Sequence, residues 1–495
     1  MLNDKNNKDE LFIDRYIHSK KFLFGVLSDL EILEFFPKEI DPVGLYLNKI
    51  MGFNCAIEAH LKRLEEKQYL WLYKSKNLSK LFGNRYIYKS KIAEIDSGHF
   101  NNLSHIYSEK IDILYVASLE NYANALYIHA TKNNKKNTVF FMPESSKKWS
   151  IYKKISKEFK VFFPSQIGIS LDDYNMKKQF YQDYISTRLS KIDKKRYQYR
   201  NHSYFFMSKA SIEVFFVYFV AQHITFVNTI NSFFMKNLPR SLFISRDRRS
   251  TENSFVQVLS SLGVETNIIM HGVITSNYTE SQLYTSHYQF VDKVHVWGEQ
   301  QVNAIEKKQK KLNERIPIIN KDTIKFDSII IQNKNVKKSD KKFLVVIGQK
   351  GNDNSLFKLS KKISNLVKNT KFQVVFRPHP DNSNRFRSSN FLFVDNGKNF
   401  ISSSLSRAFL VITHSSTALL EGVSMGAGCI LLDYKKFNQE FPSIYKEEFS
   451  INNCQCLITN NIDSTLSLVD ECINNDSAFK KNLLCSKELY RWFVE

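Results

Sequence analysis

Two parallel-sheet α/β domains of Rossmann type, preceded by a mixed N-terminal region, are what this sequence predicts. Three observations carry the expectation. Short apolar runs recur at intervals long enough to hold a helix between them. The runs fall into two series, separated by a Lys-, Asn- and Asp-rich stretch from Asn320 to Lys342. Several runs stop abruptly at phosphate-seeking side chains, as strands do at the carboxyl edge of a parallel sheet, where open α/β folds bind nucleotides. A chain of 495 residues is also too long for one core.

From Met1 to about Ser108, short apolar groups alternate with Lys-rich turns and show no clear period, so residues 1–108 are assigned only as a mixed region. The first series of strands is expected at Ile111 to Val116, Thr138 to Met142, Val161 to Phe163, Leu242 to Ser245, Asn267 to Met270 and Val294 to Trp297. Leu171 to Met235 carries charged and apolar residues at helical spacing between the third and fourth. The second series is expected at Phe343 to Ile347, Phe372 to Phe376, Phe391 to Val394, Phe409 to Ile412, Ile430 to Leu432 and Leu457 to Thr459. The resulting division is 1–325 for an acceptor-side domain and 340–475 for a nucleotide-binding domain, with a last helix, 476–495, crossing back onto the first domain.

The second series holds three strand-end motifs. Phe343 to Ile347 leads into Gly348-Gln349-Lys350-Gly351, where glycines permit close backbone approach and Gln349 and Lys350 are donors. Phe372 to Phe376 leads into Arg377-Pro378-His379-Pro380, in which two prolines bias the backbone to extended geometry and aim the imidazole. Phe409 to Ile412 leads into Thr413-His414-Ser415-Ser416-Thr417, whose hydroxyls are expected at a helix start beside unpaired N–H groups. Each motif alone has an ordinary explanation as a turn or an N-cap. Three anion-seeking strand ends in one sheet point to a nucleotide mono- or diphosphate. Glu421, one to two turns into the helix that follows Thr417, is placed to accept from ribose hydroxyls, or to form a surface salt bridge.

In the first series, Leu242 to Ser245 runs into Arg246-Asp247-Arg248-Arg249. An aspartate between arginines stays ionised, which suits a nucleophile or an electrostatic stabiliser, and equally a capping salt bridge. Arg246 and Arg248 are expected to face an anionic acceptor. His271, followed by Gly272, lies just past an apolar strand, where it serves as a general base or as a satisfied core histidine.

Lys plus Arg number 71 against 49 for Asp plus Glu, a net charge of +22. That balance favours polyanionic partners or an anionic membrane surface, though Lys-rich solvated faces alone produce the same number. Nucleic acid is admitted by charge but not by any motif, and none is expected as a partner. Met1 to Lys20 is charged throughout, unlike a secretory signal, so a cytoplasmic location is expected, with peripheral contact to the membrane. Ile212 to Phe234 is the most apolar segment, but Glu213, Gln222, His223, Asn228 and Asn231 interrupt it, so a buried helix is expected rather than a lipid span. The six cysteines form no CxxC pair, and no two aspartates are separated by a single residue. Neither a metal nor another cofactor is therefore expected; one phosphate charge lies within reach of His379, Arg377 and a helix N-terminus.

Val345-Val346-Ile347-Gly348-Gln349 with Asp353 and Ser355, Arg377-Pro378-His379-Pro380-Asp381, and Ser415-Ser416 with Glu421 resemble bacterial capsule-type Kdo transferases and, more distantly, bacterial sialyltransferases. The resemblance covers roughly Phe343 to Asp433. It implies a GT-B architecture, with the sheets of two Rossmann-like domains facing a cleft, and transfer of a CMP-activated keto-sugar to an anionic or lipid-linked surface glycan. It also implies that His379, Ser415 and Ser416 hold the CMP phosphate. The acidic base motif of those families is not found here, and Asp247 is its substitute by position. His271-Gly272 looks similar to an element of CDP-glycerol glycerophosphotransferases, which leaves that activity as an alternative, alongside a GT-B-like UDP-sugar epimerase and a basic RNA- or glycan-binding protein.

Overall fold

The computed structural model describes residues 2–38, 40–44, 46, 50, 109–133, 137–167, 171–199, 202–203, 215–245, 250–270, 288–321, 343–348, 352–379, 382, 385–396, 404–414, 416–434 and 457–494. They fall into two compact units. One runs to residue 270 and takes in 288–295 and 307–319; the other holds 296–306 and everything from 320 onward. The division is thus not a single cut in the chain. Most of the expected linker, from residue 322 to 342, lies outside the described residues.

The first unit opens with a long helix, α1 (Leu2–Asp29), where the sequence reading assigned only a mixed region. Tyr16, Phe22, Leu23, Val26, Leu27 and Leu30 are buried along or just beyond it, at helical intervals. Phenol–carboxylate bonds tether it: the Tyr16 hydroxyl donates to Glu314 and the Tyr197 hydroxyl to Asp29. Burial, with Glu314 alongside, pushes the Tyr16 phenol well up, so it stays a donor.

The elements that follow in the chain are β1 (Ile113–Val116), α2 (Glu120–Asn133), β2 (Thr138–Phe141), α3 (Tyr152–Glu158), β3 (Lys160–Phe162), α4 (Leu171–Leu189), α5 (Ala221–Phe234), β4 (Ser241–Ile244), α6 (Ser250–Ser261), β5 (Glu265–Ile269), β6 (Lys293–Val296), α7 (Glu299–Leu312) and β7 (Ile318–Lys321), with 296–306 and 320–321 grouped with the other unit. Their sheet has the order β3-β2-β1-β4-β5-β6-β7, parallel from β3 through β6. Tyr115 stands opposite Phe140 on one neighbour and Phe243 on the other, and its ring stacks on both, at 4.9 and 5.1 Å. α5 is buried through most of its length, Gln222, His223, Thr225 and Thr229 included. Among the described residues no helix is long and apolar enough to cross a membrane.

The second unit contains β8 (Phe343–Ile347), α8 (Asp353–Leu366), β9 (Gln373–Arg377), β10 (Leu392–Val394), β11 (Ala408–Thr413), α9 (Ala418–Ser424), β12 (Gly428–Leu432), β13 (Ile458–Thr459), α10 (Ile462–Asn474) and α11 (Asp476–Val494). All five strand pairs are parallel, in the order β10-β9-β8-β11-β12-β13. Alternation along β8 builds two cores. Leu344 and Val346 pack with Leu356, Leu359 and Ile363 of α8 and Val469 of α10, whereas Val345 and Ile347 pack with Leu419, Leu420 and Val423 of α9 and Leu489 of α11. Each fully buried side chain of this size contributes about 1.5–3 kcal/mol.

The final helix, expected from the sequence to cross back, lies against β12, α9 and α10 of its own unit. Its Asn482 takes the place of a strand along Cys429, accepting that residue's N–H at 3.1 Å and donating to its carbonyl at 2.9 Å. β13 is only two residues long and leaves this stretch of β12 uncovered, so a side-chain amide satisfies the backbone instead.

Candidate nucleotide-binding edge

Helices α8 and α9 follow neighbouring strands, β8 and β11, and leave on opposite faces of the sheet. That makes the gap between β8 and β11 the topological switch point, the place where open α/β sheets receive ligands at their carboxyl ends. β9 and β11 flank β8 and run parallel to it, so His379 and Ser416 emerge on one rim. Their strands are roughly 10 Å apart, two strand spacings.

Gly348 closes the corner between β8 and α8. A Cβ there would meet Asp353 Oδ1 at 2.0 Å, Pro378 Cα at 2.8 Å and His379 N at 2.9 Å, so only glycine lets the ends of β8 and β9 approach this closely. The Gly348 N–H donates to the Arg377 carbonyl at 2.7 Å. Asp353, 3% exposed, turns its carboxylate under the neighbouring loop: Oδ1 accepts the His379 N–H at 3.1 Å and Oδ2 accepts from Asn382 Nδ2 at 2.6 Å. The Asn382 N–H in turn donates to the His379 carbonyl at 2.8 Å. The histidine side chain is half-buried. Asn352, immediately before α8, is 4% exposed; it makes no capping bond, and its Nδ2 has no hydrogen-bond partner among the described residues.

On the other side of the gap, the Thr413 hydroxyl donates to the Ile347 carbonyl at 3.2 Å and ties β11 to β8. His414 is fully buried, and its Nδ1 lies 2.7 Å from the Leu432 carbonyl. A carbonyl only accepts, so this nitrogen carries the proton and the ring is fixed. Ser416 is half-buried and caps the turn into α9, its Oγ accepting the Ala418 N–H at 3.3 Å. Thr417 is also half-buried, and Glu421 is buried within the seven-residue α9 rather than displayed on the surface. Past β12, Tyr434 hydrogen-bonds Thr465 at 2.6 Å, and burial pushes its phenol up to about 12, so it remains neutral.

Arg377 is differently engaged from the expectation of a phosphate donor. Its Nη1 donates to Asp395 Oδ2 at 2.7 Å, and the Ser404 hydroxyl donates to the same oxygen at 2.8 Å. With the Arg377 and Asp395 side chains 17% and 5% exposed, much of the guanidinium's charge is matched inside the protein. Gln349, Lys350 and Ser415 of this edge lie outside the described residues, as do Arg246, Asp247, Arg248 and His271 of the first unit.

The first sheet has its own switch point, between β1 and β4. Glu252 sits there, fully buried in the first turn of α6, with Oε1 accepting the Ser118 N–H at 2.8 Å. Sequence reading passed over this residue. A glutamate at the third position of a helix that follows a strand end is the available signal, and it reads equally as helix capping.

No family model and no curated protein matches this chain. Among solved structures, it is similar to the UDP-GlcNAc 2-epimerase of Neisseria meningitidis bound to UDP-GlcNAc, at a TM-score of 0.46 and 11% identity over 77% of this chain and 98% of the other. It is also similar to the UDP-GlcNAc 2-epimerase of Methanocaldococcus jannaschii (TM-score 0.43, 12% identity, 78% and 100% covered) and to MurG of Acinetobacter baumannii (0.42, 7%, 78% and 96%). Similarity at this level assigns no substrate.

Proposed function

We propose that this protein is a glycosyltransferase that moves Kdo or a related nonulosonate from a CMP-activated donor to a bacterial surface glycan, with the nucleotide held at the carboxyl edge of the second sheet. The observation that supports it is the emergence of His379 and Ser416 on either side of β8 at the switch point, on one rim of a fully parallel sheet. In this reading His379, Ser415, Ser416 and Thr417 stabilise the departing CMP phosphate, Gln349 and Lys350 line the donor pocket, and Glu421 holds ribose. Arg377 holds the β9 end through Asp395 and adds its field to the site. Asp247 acts as nucleophile or acceptor-orienting group, His271 as general base or as the group that steadies the donor carboxylate, and Arg246 and Arg248 steady the acceptor. No metal enters the scheme, and the protein works at the inner face of the cytoplasmic membrane.

Thermal shift of the full chain against CMP, CDP, UDP and GDP is the first test. Selective stabilisation by CMP supports the reading, followed by transfer from CMP-Kdo or CMP-sialic acid. Preference for CDP points to glycerophosphotransfer and preference for UDP to an epimerase; either result overturns the CMP assignment.

Asn352 supplies a finer prediction. A buried donor without a partner costs about 1–3 kcal/mol, which an incoming phosphate or ribose oxygen offsets. Asn352→Ala should weaken CMP binding roughly 3- to 10-fold while leaving the unliganded protein as stable as before or slightly more so. Titration calorimetry and urea denaturation read the two effects. Unchanged CMP affinity would show that the amide does not face the nucleotide.

A further inference from the structure

We infer that Asp353 is a positioning residue that sets the place of the His379 imidazole without touching the nucleotide. The inference rests on reading this edge as the nucleotide site. Asp353 is 3% exposed, and both of its carboxylate oxygens are engaged by the loop after β9. One receives the backbone N–H of His379; the other receives the side chain of Asn382, three residues on. The turn between them is closed by the Asn382 N–H on the His379 carbonyl. The histidine is therefore held on both sides of its own Cα: its N–H by Asp353, and its carbonyl by the residue that the second Asp353 oxygen grips. Gly348 is the accessory to this arrangement, because any side chain there would occupy the position of Asp353 Oδ1.

The sign of the charge argues the same way. A carboxylate next to an anion-binding edge repels phosphate. If Asp353 did nothing for the ligand, neutralising it would tighten nucleotide binding. If its work is to hold His379, an isosteric amide loses, because an Asn side chain presents an NH₂ donor to one of two groups that are themselves donors. The two accounts predict opposite directions for one substitution.

Titration calorimetry of CMP into the full chain and into Asp353→Asn, His379→Ala and the double variant tests the inference. Asp353→Asn is expected to weaken CMP about tenfold, and the double variant to bind no more than about twofold worse than the weaker single, since residues acting through one another are not additive. Where His379→Ala itself weakens CMP, tighter or unchanged binding by Asp353→Asn, or full additivity, overturns the inference. A second reading is independent of any ligand: the His379 imidazole resonances, identified by their loss in His379→Ala, should move in unliganded Asp353→Asn. If they do not move, the positioning role is wrong whichever nucleotide binds; if they move while His379→Ala leaves CMP binding intact, the positioning holds and the nucleotide assignment fails. Should Asp353→Asn not fold, Asn382→Ala removes one half of the clamp and is expected to weaken CMP severalfold and move the same resonances.

Discussion

His379→Ala is expected to lower CMP affinity roughly 10- to 100-fold while shifting the unfolding midpoint of the unliganded protein little. A hydrogen bond to a charged group contributes about 1.5–3 kcal/mol, and in the proposed site the imidazole, two residues past the end of β9, supplies one. The loop itself should survive the substitution. Its clamp uses the backbone N–H and carbonyl of residue 379, both of which alanine keeps. Calorimetry with CMP, alongside urea denaturation, separates loss of a ligand contact from loss of fold. A variant that binds CMP like the parent removes the histidine from the site.

Gly348→Ala is expected to have the larger effect on stability. The added methyl would lie 2.0 Å from Asp353 Oδ1 and under 3 Å from two backbone atoms of the neighbouring loop. Backbone cannot yield as a side-chain tip can, so the carboxylate is displaced. Overpacking costs about 1–3 kcal/mol, and a buried carboxylate torn from its donors costs a comparable amount, so a loss of roughly 2–5 kcal/mol is expected. CMP binding should fall with it, since the same displacement frees His379. The urea midpoint of the variant measures the first effect and calorimetry the second. A parent-like midpoint would mean that the β8–α8 corner relaxes without cost.

These expectations draw on features of unequal legibility in the sequence. The twelve expected strands all appear within about two residues of where the apolar runs place them. Strands buried on both faces of a parallel sheet must be apolar throughout, and such runs are hard to mistake. β7 has no counterpart among the expected strands, its second half falling within the expected linker, because an edge strand with exposed ends, Ile318 and Lys321, carries no such run. α1 is harder to read although its buried positions follow a helical period: four lysines share the stretch with Tyr16, whose buried hydroxyl finds its partner in Glu314, 298 residues away.

In the candidate site, the sequence located the strand ends but not the partners of the side chains. Arg377 has the look of a phosphate donor until Asp395, eighteen residues later, is seen to hold it. Asp353 was visible as part of a motif, yet its task depends on Asn382 and the His379 backbone, a juxtaposition made by parallel pairing of β8 with β9. His414 was read as a neighbour of the serines and proves to be a fixed, fully buried link to the end of β12. Pairwise contacts between distant segments are a property of the sheet order, which spacing alone does not encode.

A crystal structure of the full chain soaked with CMP tests the central claim most directly. The account predicts the phosphate over the end of β8, within hydrogen-bond distance of the His379 imidazole on one side and of Ser416 or its adjoining N–H groups on the other. Phosphate density at the first sheet's carboxyl edge, or on a lysine-rich face away from both serine and histidine, would contradict it.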